Sequence, residues 1–162
     1  MVSKVRVYAK AQNRTALGIA HAYMSMHPKT TLDDLRKAFP NELNPDRGVK
    51  ENFIYAEEKG TTANWDGYFK ADEELLTMSD GRKVSVVKMW TKPSLERIVN
   101  LAYTYYIEAK QIDSVNIEDK ARGFRLEYIN GYCPRKATNK KSLWWVWLVI
   151  VVLLVGAALV LL

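Results

Sequence analysis

The residue types able to do chemistry are few, and their spacing does not assemble them. His21 and His27 are the only histidines. They fall six apart on one predicted helix, rather than the three or four that would set them side by side, and no carboxylate shares that helix to complete a metal or acid–base site. Both read as structural. Cys133 is the single cysteine, so no internal disulfide forms. It fits a reducing compartment and borders a linker, where nothing would stabilise a thiolate. The acidic pairs Asp33-Asp34, Glu57-Glu58 and Glu73-Glu74 are adjacent in sequence, and adjacent residues point in different directions. A metal enzyme would have to draw on scattered residues such as Asp33, Asp72 and Glu73. The glycines are turn formers and make no phosphate-cradling loop. The expectation is a non-enzyme with no catalytic residue, no metal and no cofactor.

Basic residues offer a second chemistry. Two helices, an undecided third element and a β-hairpin follow one another in the order of a winged helix, which would put Arg47 and Lys50 on a reading element and Arg82, Lys83 and Lys88 on the wing, making nucleic acid a possible partner. Glu51, Glu57 and Glu58 share that stretch. The chain's net charge is +6, but four of the positive charges lie in 135–141, leaving +2 for residues 1–134. That is low for tight phosphate binding, so protein contacts are the preferred use of such a shape.

The elements behind these residues read as follows. Residues 4–10 alternate, with Val5, Val7 and Ala9 on one face, as a half-exposed strand does. A helix capped by Asn13 or Thr15 runs to His27 and stops at Pro28; a second opens at Thr30 and Thr31, carries Asp33 and Asp34 in its first turn, and stops at Pro40. Residues 49–59 suit either a third helix or a short strand at 52–55. Residues 73–78 and 83–90 form a hairpin around Asp80-Gly81. A helix with proline in its first turn then carries an apolar face from Leu95 to Ala109. Residues 112–117 and 123–129 read as strands, the latter ended by the Asn130-Gly131 turn.

The runs TLDDLRKAFP (31–40), Tyr68-Phe69, DEELLTMSDGRKV (72–84) and Met89-Trp90, with a helix from Pro93, resemble a small bacterial domain of uncertain function. That domain occurs alone or appended to restriction-type and other phage-defence proteins. The likeness covers about residues 12–112. It implies a compact accessory module and transfers no catalytic residue; the strand pair at 112–129 and the sequence after it depart from the pattern.

The last twenty residues, 143–162, hold no charge and one glycine. At about 1.5 Å per residue a helix of that length spans roughly 30 Å, a bilayer's apolar thickness. Trp144, Trp145 and Trp147 crowd its entry as interfacial residues, and Arg135, Lys136, Lys140 and Lys141 precede it as a positive cluster suited to anionic headgroups and retained on the cytoplasmic side. Gly156, Ala157 and Ala158 form a small-residue patch without the glycine spacing of a helix dimer. The expected fold class is therefore α+β: a winged-helix-like cytosolic domain (1–131) with added strands, a basic linker (132–142) and one C-terminal transmembrane helix (143–162). The expected role is that of a non-enzymatic, single-pass, tail-anchored protein of the inner membrane. Its domain would bind a partner, protein by preference or a second copy of itself, acting as a phage-defence sensor or with the span as a membrane effector; the alternative is a membrane-tethered DNA-binding regulator.

Overall fold

The alternation at the start of the chain places Val5, Val7 and Ala9 in the interior and leaves Arg6 and Tyr8 half-buried on the opposite face of strand β1 (Val5–Ala9). The computed structural model describes residues 2–45, 49–57, 65–111 and 122–134. Within them, β1 is the centre of a three-stranded sheet. It pairs in parallel with β5 (Ile107–Gln111), Val5 opposite Ile107, and antiparallel with β6 (Phe124–Tyr128), Val7 opposite Leu126. Helix α1 (Gln12–Met26) covers the inner face, burying Ala16, Leu17, Ile19 and Ala20. It comes close enough that a Cβ on Gly18 would lie 2.5 Å from Val7 Cγ1 and 3.2 Å from the Phe124 ring. The outer face of the sheet is an ionic ladder: Arg6 bridges Glu108 at 3.2 Å and Glu127 at 3.5 Å, the Tyr8 hydroxyl donates to Glu127, and the Arg125 guanidinium lies 4.7 Å from the Tyr8 ring.

Helix α2 (Leu32–Ala38) begins with a full capping box. The Asp34 amide donates to Thr31 Oγ1, and the Thr31 amide donates back to the Asp34 carboxylate. Its far side reaches the second sheet, where Arg36 donates to the Phe53 carbonyl at 2.9 Å. That sheet orders β2 (Phe53–Tyr55), β4 (Lys83–Val86) and β3 (Leu76–Thr77), all antiparallel with β4 central. Gly81, at φ +86°, supplies the turn between β3 and β4. Helix α3 (Lys92–Thr104) starts on Thr91, whose hydroxyl accepts from the Ser94 amide, and buries Leu95, Ile98 and Ala102. One core joins both sheets and the helices.

This architecture corrects the expected fold class. Among the described residues the domain is a small α+β unit of three α-helices and two three-stranded sheets, not a winged helix. No third helix stands where a reading helix would be: the stretch after α2 forms β2 instead, and the hairpin is claimed by β2 rather than left as a wing. Among the described residues no helix is long and apolar enough to cross a membrane. The expected span at 143–162, the basic cluster and the tryptophans lie outside the described residues, as does the strand expected at 112–117. The core helix is also shorter than its apolar periodicity suggests. It ends at Thr104 because Tyr106 takes φ +64°, and Ile107 and Ala109, which a helix would place on its apolar stripe, instead enter the sheet beside Val5 and Val7.

Candidate functional site

An open concavity lies at the end of the domain where β1 and β5 begin and β6 finishes. It is an open cleft of about 860 Å³ between the end of α1, the loop and first turns of α2, and a wall formed by Tyr105 and Tyr132. Local sequence builds each side. Pro28 ends α1 and leaves His27 as its C-cap, with the His27 ring centroid 4.4 Å from that of Tyr23. Tyr23 in turn packs edge-on against Phe39 and Tyr105, both at 5.1 Å. Asn130 and Gly131 both have positive φ, and the Tyr132 amide donates to the Ile129 carbonyl. This is the two-residue turn of the mirror-image type that Asn-Gly favours. It folds Tyr132 back under the sheet, held further by Asn130 Nδ2 donating to the Ser3 carbonyl at 2.6 Å.

Aromatic and cationic groups dominate the rim. Lys29 and Lys37 line it, and the Lys4 ammonium stands 4.6 Å from the Tyr106 ring centroid and 5.7 Å from that of Tyr132. Burial pushes the His27 pKa below its ordinary value, and the Lys4 charge pushes it further the same way. His27 is therefore biased towards neutral imidazole. Burial likewise raises Tyr23, aided by Tyr105 and Asp34. Asp34, the carboxylate of the cleft, is held below the usual range by hydrogen bonds from the Thr31 hydroxyl and amide. Its charge is thus committed to starting α2. The cleft offers rings and cations more than acid–base pairs.

The sequence-predicted residues fall elsewhere. Arg82 stacks 3.6 Å from the Tyr55 ring and is met by Asp80 at 2.8 Å and Glu57 at 3.8 Å. Lys83 donates to Thr77 Oγ1, and Lys88 stands 5.7 Å from the Phe69 ring. Lys83 and Lys88 lie five residues apart along one extended run, so they are separated by about 17 Å and leave it on opposite faces. Lys50 is exposed ahead of β2, and Arg47 lies outside the described residues. Lys83 and Lys88 are thus not brought to one face of that run. Arg135, Lys136, Lys140, Lys141, Trp144, Trp145 and Trp147 also lie outside the described residues.

The two histidines are separated by their roles in the fold. His21 sits with Nε2 3.2 Å from the Glu74 carbonyl and its ring against Phe124, whereas His27 faces the cleft. Among the described residues no group of three His, Cys, Asp or Glu side chains could hold a metal ion. What composition did signal is tyrosine, nine of them: Tyr23, Tyr105 and Tyr132 line this cleft, and Tyr106 and Tyr128 lie beside it around Lys4 and Tyr132. The clusters 103–106 and 128–132 were the available clue.

No family model, no curated protein and no solved structure matches the chain.

Proposed function

We propose that the chain is a non-enzymatic binding module attached to a membrane through the uncharged sequence 143–162, and that its aromatic cleft receives a segment of a protein partner lying at the bilayer surface. The observation that carries this reading is the position of the cleft. Its rim includes Tyr132 and Cys133, and the chain continues from there into Arg135, Lys136, Lys140, Lys141 and the apolar run. Extended at most about 3.5 Å per residue, the stretch from Cys133 to 143 keeps the cleft within roughly 35 Å of the point of attachment. The basic cluster supports the reading that the domain lies on the side of the membrane that retains positive charge.

Rigid aromatic rings bury large area with little loss of side-chain freedom and recur at the centres of protein interfaces. The test is site-specific photocrosslinking in cells with the full chain. A photoreactive residue at Lys37 in the rim is expected to give a discrete protein adduct that one at Lys10, on the far end of β1, does not. Ending the chain after Lys141 should release it from the membrane fraction. Membrane retention of the shortened chain, or the same adducts at both positions, would overturn the reading.

A further inference from the structure

The end of the domain that carries the cleft also carries the exposed large apolar side chains found among the described residues: Val2 at 69%, Tyr103 at 48%, Tyr128 at 40% and Tyr106 at 37% exposure. Lys4 lies among them, over the Tyr106 and Tyr132 rings, and Tyr128 and Tyr132 lie with ring centroids 6.2 Å apart. Lys29 and Lys37 add cations along the adjoining rim. The one carboxylate that lines the cleft beside them, Asp34, is occupied by Thr31. Tyrosine and lysine together, each with an apolar body and a polar tip, are the pair that partitions into a headgroup layer.

Tyr106 adds an independent indication. At φ +64° it occupies the position after α3 where glycine is relaxed and a Cβ costs about 1 kcal/mol. Its carbonyl accepts from the Lys4 and Val5 amides and its own amide donates to Tyr103. All of those bonds are backbone bonds that glycine would also make. The tyrosine ring is thus held at a strained position and exposed, with the Lys4 ammonium over its face.

We propose that this tyrosine–lysine end is a second membrane contact, docking the domain flat against an anionic bilayer beside the point where 143–162 attaches. The inference rests on the membrane attachment proposed above. Only nine residues separate Cys133 from 143 once the chain leaves this end, so the bilayer is the surface nearest to it. Lys4, Lys29 and Lys37 complement anionic headgroups while the tyrosines enter the interface. The cleft then opens at the bilayer surface, and only a partner segment lying there reaches it.

The test uses the full chain in vesicles of phosphatidylcholine, with and without phosphatidylglycerol, carrying a nitroxide at residue 2 (Val2→Cys with Cys133→Ser) or, as control, at residue 10 (Lys10→Cys with Cys133→Ser). Docking is read as collision with a nickel chelate tethered to lipid headgroups. Residue 2 is expected to collide more than residue 10, and only when the anionic lipid is present. Lys4→Glu should lower the docked-to-undocked ratio by about fivefold or more, from roughly 1 kcal/mol for each cation at an anionic surface. Tyr106→Gly should lower it as well while leaving the melting temperature unchanged or raised, which a merely structural tyrosine would not do. If the chain fails to float with the vesicles, membrane attachment and docking fall together. If it floats but residue 2 collides no more than residue 10, or neither variant changes the contact, docking alone is overturned and attachment stands.

Discussion

Among the described residues Glu74 is the most buried ionised group. Its side chain lies between the single 3-10 turn Asp72–Glu74 and α1, where one oxygen accepts from Arg14 and the other from the Lys70 and Ala71 amides. Burial opposes the charge, but the Arg14 and backbone hydrogen bonds outweigh it and the pKa ends below the ordinary 4.5. A carboxylate depressed by folding contributes stability above its unfolded pKa and loses it as pH falls through the folded value. His27, also depressed, contributes fully above 6.5 and less as pH falls below it. The melting temperature should therefore fall in two steps on acidification, one starting near pH 6.5 and one below 4.5. His27→Gln should abolish the first, and a flat melting temperature between pH 7.5 and 5 in the parent chain would refute its assignment. Glu74→Gln at neutral pH should cost about 2 kcal/mol, the scale of a hydrogen bond to a charged group. Gly18→Ala tests packing at the same scale. Alanine gains up to about 1 kcal/mol of helix propensity, but the new methyl meets Val7 and Phe124, both fully or nearly fully buried. Denaturant titration should give a net loss of about 1–2 kcal/mol from overpacking.

At the scale of elements, the parts legible in the sequence were those specified by neighbours in the chain. The alternation of β1, the proline stops of α1 and α2, the Thr31 cap, the Asp-Gly turn before β4 and the Asn-Gly turn after β6 each depend on a few adjacent residues, and each stands where it was read. The end of α3 was not legible, because Tyr105, Tyr106, Ile107 and Ala109 suit a helical stripe and a strand equally well. Tertiary pairing with β1 decides it. The same competition resolved 49–59 in favour of β2, whose partner β4 lies some thirty residues on. Thr31→Ala removes the cap that a seven-residue helix most needs, so it is expected to cost about 1 kcal/mol. Amide exchange should rise in α2 before it rises in α1, and uniform protection across both helices would show that tertiary packing alone holds α2.

For the whole molecule, the expectation of a winged helix failed because order along the chain was taken for order in space. Two helices and a hairpin occur in that sequence, but β1 recruits β5 and β6 into a sheet of its own, and no local pattern announces a parallel pairing across about a hundred residues. The cleft was illegible for the same reason, since its walls come from α1, α2, the end of α3 and the turn after β6. Only its tyrosine content could be seen in advance. The cations singled out at Arg82, Lys83 and Lys88 were read from sequence proximity, and the β4 strand distributes them along and across itself.

The central place of β1 has a temporal consequence. Val5–Ala9 is synthesised early, yet its antiparallel partner is complete only at Tyr128, about 120 residues later. At the usual 5–20 residues per second a ribosome needs roughly 6–24 s to reach it. Until β5 has been made the nascent chain carries this strand with neither edge paired, and from then until β6 is complete one edge stays open, while α1 and the β2–β4–β3 sheet can already form. Translation pausing between α3 and β6 should then raise aggregation of the newborn protein more than an equal pause before α3, since by that point a collapsed half-domain would be displaying the strand it has not yet closed.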